Sequence, residues 1–130
     1  QPILFRLRSD LGELCLAALD VRLDQVECEW DPRASLGVVL AAGGYPDAYR
    51  KGDPIEGLDA DQGRDDVKIF HAGTRAADGR VVTSGGRVLC AVALGDDVAH
   101  AQRKAYALAG QVRWDGVYYR HDIGWRAVRR

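Results

Sequence analysis

The 130-residue chain contains no methionine and only two phenylalanines, and its three cysteines, Cys15, Cys28 and Cys90, lie far apart. An odd, scattered set of thiols makes neither a zinc spacing nor a paired disulfide framework, so a reducing cytoplasm is the expected setting. Long apolar runs are missing as well. Leu36 to Ala42 and Val88 to Leu94 are too short to span a bilayer, and no membrane partner is expected. No charge sign dominates, because 18 Lys and Arg stand against 19 Asp and Glu for a net charge of -1. A protein built to hold phosphate backbone usually carries a strongly basic surface, so nucleic acid is not an expected partner. The opening Gln1-Pro2-Ile3-Leu4-Phe5-Arg6 lacks both an initiator methionine and the basic-then-apolar order of a signal peptide. The chain therefore reads as a fragment or processed piece of a longer protein.

What is present is the composition of an ordinary globular protein, 47% hydrophobic and 28% charged, on a length that suits one compact core. Leu11, Leu14, Cys15, Ala18 and Leu19 recur at helical spacing behind Ser9 and Asp10, either of which can cap the first turn. Val26, Cys28 and Trp30 alternate with Glu27 and Glu29 in the period of a strand, ended by Asp31-Pro32. The change of character near this point divides the chain into a helix of a preceding body, residues 1–25, and a β-rich domain, residues 26–130. Ser35 to Ala42 reads as a strand buried on both faces and stopped by Gly43-Gly44-Tyr45-Pro46. A long surface excursion follows to Asp66. Val67 to His71 and Arg80 to Thr83 form a hairpin with a wide loop around Asp78-Gly79, and Ser84-Gly85-Gly86-Arg87 leads into Val88 to Leu94 as a further hairpin. Asp96 or Asp97 caps a second helix that buries Val98, Ala101, Ala105, Leu108 and Ala109 and stops at Gly110. Val112, Trp114 and Val117 to Tyr119 suggest short strands around Asp115-Gly116, and the tail from Arg126 is expected to fray. No repeat or low-complexity segment interrupts this order.

Catalytic templates are absent: there is no nucleophile elbow, paired-histidine metal motif, Walker loop or Gly-x-Gly-x-x-Gly after a strand. His71, His100 and His121 each stand alone, without the partner that would fix a tautomer, and read as structural or surface residues. Asp59, Asp61, Asp65 and Asp66 do not follow the alternating order of a calcium loop and read as a solvated acidic loop. Trp114, Tyr118, Tyr119 and Trp125 read as core packing that pins the terminus, with ligand stacking as the alternative. Ser84-Gly85-Gly86-Arg87 is the sharper candidate. Two glycines let backbone N–H groups approach an anion, and the arginine behind them offers a planar fork for a phosphate. Gly43-Gly44-Tyr45-Pro46 is either a turn or the wall of a cleft.

These stretches are also where the sequence resembles phosphoribosylamine-glycine ligase. Arg6-Leu7-Arg8-Ser9-Asp10-Leu11, Ala34 to Pro46, Tyr49 to Gly52, Phe70-His71-Ala72-Gly73-Thr74, Val82 to Leu89 and Asp122 to Ala127 follow one another in that family's order. The resemblance places the end of the family's magnesium-binding signature on Gln1 and implies that ATP and magnesium are bound upstream, leaving no cofactor expected for this piece. It implies a ligase of purine biosynthesis that activates glycine with ATP and joins it to phosphoribosylamine, giving glycinamide ribonucleotide, ADP and phosphate. It makes Arg87 the holder of the ribose 5-phosphate, with Gly85 and Gly86 as backbone donors and Gly44 and Tyr45 in the cleft wall. No catalytic or metal-ligating residue is expected in the chain itself.

The fold the resemblance implies is α+β: a small antiparallel, barrel-like domain similar to the rudimentary hybrid motif, with flanking helices, preceded by the last helix of an ATP-grasp domain. That helix is expected to show an apolar stripe and to offer a homodimer contact. The alternative function is a non-catalytic, stand-alone binding module of the same fold.

Overall fold

The computed structural model describes residues 1–129. Its elements are α1 (Pro2–Phe5), α2 (Leu11–Leu19), a 3-10 turn (Leu23–Gln25), β1 (Ala34–Ala41), β2 (Val67–His71), β3 (Thr74–Ala77), β4 (Arg80–Thr83), β5 (Arg87–Gly95), α3 (Val98–Ala109) and α4 (Trp125–Val128). The fold is α+β, as expected, with antiparallel pairing throughout the named strands. The strands do not close into the expected barrel. They form a three-stranded sheet in the order β1-β5-β2 and a separate two-stranded sheet, β3-β4.

One face of the larger sheet carries Leu36, Val38 and Leu40 of β1, Leu89, Ala91 and Ala93 of β5, and Val67 and Ile69 of β2. Against it lies α3, whose Ala101, Ala105 and Ala109 are small enough for the helix to approach closely while Leu108 fills the space between. Asp97 caps this helix by accepting the His100 N–H at 2.6 Å. Gly110 ends it in an ordinary right-handed conformation rather than a left-handed one.

The opposite face decides where a site can form. Side chains alternate along a strand, so Gly37 and Val39 of β1, Cys90 and Val92 of β5, and Phe70 of β2 point away from α3. Helix α1 covers only part of this surface, with Phe5 edge-on to Phe70 at 5.9 Å between ring centroids and Pro2 over Gly37. Val39 remains 42% exposed, so β1 is not buried on both faces as its apolar run suggests.

Four other expectations need correction. Val26 to Trp30 is not a strand, because its only β pairing among the described residues is an isolated bridge between Trp30 and Leu7, beside which the Glu29 N–H donates to the Ser9 hydroxyl at 2.7 Å. Strand β4 pairs with β3 across a two-residue turn in which Asp78 and Gly79 both have positive φ, the signature of a tight hairpin, whereas β2 pairs with β5. The segment after α3 contributes isolated bridges, Arg113 to Glu56 and Tyr118 to Ala41, in place of strands. The basic tail winds into α4 instead of fraying within the described residues.

Residues 6–8 are held beside the sheet by backbone bonds to residues 29–31 and by the buried carboxylate of Asp31. Asp31 is 3% exposed and receives Arg8 at 2.7 Å and Arg33 at 2.8 Å, while the Arg6 guanidinium donates to the Asp31 carbonyl at 3.0 Å. The Arg33 side-chain hydrogen bond, opposed by burial but joined by the Arg33 N–H and Arg8, holds the Asp31 carboxyl well below the usual carboxylate range. The acidic loop is not merely solvated either. Asp61 accepts the Ile69 N–H at 2.9 Å and pairs with Lys68, and Asp66 pairs with Lys104 at 2.9 Å.

Candidate functional site

Arg87 is the first residue of β5, and its direction depends on an irregularity in the sheet. Leu40 pairs with Leu89, but the next residue of β1, Ala41, pairs with Arg87, so Val88 is an extra residue on β5. Both Val88 and Leu89 are consequently buried in the core. Without that bulge, Arg87 would share the face of Leu89 and point at α3. With it, Arg87 turns to the face of Val39, as bulges beside functional sites commonly redirect a side chain.

The turn before Arg87 is anchored by Gly73, whose carbonyl accepts the N–H groups of Ser84 at 2.7 Å and Gly85 at 3.0 Å. The Gly85 donor is therefore already committed within the protein. Gly86 N–H has no partner among the described residues, although its carbonyl accepts from Ala42 at 2.9 Å. A side chain at Gly86 would overlap the Tyr45 ring, so glycine is what lets the aromatic lie on the turn. Gly44, at φ +93°, makes the tight bend that delivers Tyr45 there but lines neither hollow described below.

Arg87, Gly86 and Tyr45 thus come together, with Val39, Cys90 and Gln1, around an open cleft of about 540 Å³. The Arg87 guanidinium is exposed and forms no ion pair or side-chain hydrogen bond with any described residue. By contrast Arg50, on the same loop as Tyr45, is shared between Asp53 and Asp115. Burial pushes the Cys90 thiol above its ordinary pKa, which makes it a wall rather than a nucleophile. A second hollow of about 250 Å³ adjoins the cleft, sharing Val39, Tyr45 and Arg87 and adding Tyr118, Tyr119 and Ile123.

Among the other candidates, His71 bonds Thr74 at 3.0 Å, His100 sits 3.4 Å from Asp96, and His121 stacks on Tyr106 with Tyr119 tilted against it. Trp114 lies in the core, but Tyr118 and Trp125 face outward at 57% and 44% exposure, so only part of the aromatic cluster is packing. Among the described residues no three or more His, Cys, Asp and Glu side chains gather to hold a metal ion, and no helix is long and apolar enough to cross a membrane. The arrangement offers an anion the unpaired guanidinium of Arg87 at a cleft that Gly86 also lines. It has no general base or nucleophile at hand.

Residues 35–126 match the family described as phosphoribosylglycinamide synthetase, C domain. The chain is 62% identical over 130 residues to the phosphoribosylamine-glycine ligase of Vibrio vulnificus and 61% identical over 131 residues to that of Salmonella typhimurium. All of the chain is covered in each case, and it spans 30% of the length of these relatives. A crystal structure of phosphoribosylamine-glycine ligase from Thermotoga maritima superimposes with a TM-score of 0.63 at 39% identity, over 87% of this chain and 28% of that one.

Proposed function

The chain belongs to the phosphoribosylglycinamide synthetase C-domain family, and from that premise we propose that it is the part of a phosphoribosylamine-glycine ligase that grips the ribose 5-phosphate of the acceptor amine. The observation that carries this reading is Arg87, a guanidinium without a carboxylate partner, aimed into a cleft beside the unpaired Gly86 N–H. A phosphate placed there receives a planar two-point contact and a backbone donor. Holding the far end of the acceptor restricts where its amine can go, which is how positioning lowers a bimolecular barrier. The tyrosine at 45 closes one side.

On this reading the carboxyl activation that uses ATP and magnesium belongs to the rest of the parent protein, residues 1–25 complete its ATP-grasp domain, and residues 26–130 follow the rudimentary hybrid motif. The expected setting is the cytoplasm, and the isolated chain is inactive.

Two measurements test it. Titration of the isolated chain with magnesium-ATP should give no saturable heat; a specific signal would overturn the division of labour. In a full-length ligase carrying this sequence, Arg87→Ala should lose roughly 1.5 to 3 kcal/mol of acceptor binding, with Arg87→Lys recovering only part because an ammonium lacks the fork. Unchanged kinetics toward phosphoribosylamine in a folded variant would reduce Arg87 to a surface hairpin residue.

A further inference from the structure

We propose that the cleft and the adjoining tyrosine-lined hollow together form a site for a nucleoside 5′-monophosphate, with the phosphate on Arg87 and the base against Tyr118, so that such a nucleotide competes with the ribose 5-phosphate substrate. The inference rests on the phosphate reading of Arg87 and extends it to a second, uncharged half of the ligand.

The two hollows are continuous in the residues that line them: Val39, Tyr45 and Arg87 belong to both. A ligand whose anion meets Arg87 therefore has an apolar, aromatic space next to its other end. The wall of that space is built to stay in place. Tyr118 exchanges two backbone hydrogen bonds with Ala41, at 2.7 and 3.0 Å, and Ile123 is held by its N–H to the Tyr106 hydroxyl at 3.0 Å and by its carbonyl from Gln102 at 2.7 Å. A preformed wall spares a ligand the entropy of ordering it.

The rings in this wall are not equivalent. Tyr119 already lies beside Tyr106 and His121, at 6.2 and 5.1 Å between ring centroids. Tyr118 has no aromatic neighbour among the described residues and is 57% exposed, which leaves its face for an incoming planar ring. A heteroaromatic base suits that face through offset stacking and apolar contact.

Charge sets the number of phosphates. The second arginine at this hollow, Arg120, is tied to Asp122 by two contacts of 2.8 and 2.6 Å, so Arg87 is the one guanidinium of the two left for a ligand. A single phosphate matches a single free cation and one free N–H. A di- or triphosphate would hold its further charges without a partner.

The test is calorimetric titration of the chain with adenosine 5′-monophosphate, ribose 5-phosphate and adenosine, repeated in Tyr118→Ala and Arg87→Ala, with circular dichroism to check each fold. Stacking of one base predicts that the nucleotide binds about tenfold more tightly than ribose 5-phosphate and displaces it. Tyr118→Ala should erase that difference and leave ribose 5-phosphate unaffected, whereas Arg87→Ala should weaken both. Equal affinity for the two phosphates in the unaltered chain, or a preference that survives Tyr118→Ala, overturns the nucleotide site while leaving the phosphate reading intact. No binding of either phosphate, or binding indifferent to Arg87→Ala, overturns the phosphate reading and the nucleotide site with it.

Discussion

Gly73 and Gly86 sit on either side of one turn, yet a methyl group would meet different obstacles at the two. At Gly73 it would press on the Arg87 carbonyl at 2.6 Å and on the Gly85 backbone at 2.7 Å, neither of which can move without disturbing the start of β5. Gly73→Ala should therefore cost about 1–3 kcal/mol in chemical denaturation, the usual range for forcing an extra carbon into a packed site. At Gly86 the obstacles are the rings of Tyr45 and Tyr49, side chains rather than backbone, and Tyr45 is 39% exposed. Gly86→Ala should cost less than about 1 kcal/mol but weaken ribose 5-phosphate binding, since the displaced ring and the new methyl crowd the free N–H. Equal losses of stability at both positions would contradict this picture. Much of the turn is legible in the sequence, because a glycine pair ahead of an arginine is a local pattern. The direction of Arg87 is not, since it depends on a bulge opposite Ala41, and the same holds for Val39 and Cys90, which reach the cleft only once β1 and β5 are paired.

Helix α2 shows how a correct local reading can leave packing undecided. Its cap is as the sequence suggests, with Asp10 accepting the N–H of Gly12 at 2.7 Å and of Glu13 at 3.1 Å, but only Ala17 is buried and Leu16 and Leu19 are 62% and 80% exposed. A helix stabilised by its cap and little tertiary burial should open locally. Hydrogen exchange should release the amides of Leu14 to Leu19 far sooner than those of β5, and Asp10→Ala, worth about 1 kcal/mol of helix stability, should lower that protection further without moving the main unfolding transition. Strong protection of α2 in a chain that sedimentation shows to be a monomer would count against this; protection that appears only with self-association would place the stripe in a homodimer contact. The long helices were readable from caps and 3.6-residue spacing, and β1, β2, β4 and β5 from apolar runs. Strand β3 escaped because Thr74-Arg75-Ala76-Ala77 has no apolar alternation, and Val26 to Trp30 misled because alternation cannot report whether a neighbouring strand exists.

Across the whole molecule, the first residues are tied to the sheet by the Phe5–Phe70 and Pro2–Gly37 contacts, by the Leu7–Trp30 bridge and by the Asp31 carboxylate, and the last of these makes part of the tie pH-dependent. The folded carboxyl titrates below its unfolded value of about 4, so its contribution is complete above that pH and is lost as pH falls through the folded value. Asp61 and Asp66 are shifted the same way, burial being outweighed by their hydrogen bonds and cationic neighbours. Thermal unfolding should therefore be flat near neutrality and decline below about pH 4. Asp31→Asn should lower stability at neutral pH by about 2 kcal/mol and flatten the acid decline; an unaltered acid limb in the variant would remove Asp31 from this role. Strand order carries a different consequence. Strand β5 is the centre of the larger sheet and the partner β1 needs, but the chain from Ala41 to Gly95 must leave the ribosome before the two can pair. At 5–20 residues per second that interval lasts roughly 3 to 11 seconds, during which Leu36, Val38 and Leu40 lack the strand they pair with. The exposure of this strand to aggregation or to a holding chaperone is then set by the speed of synthesis, and slowing translation between β2 and β5 would lengthen it without altering the finished fold.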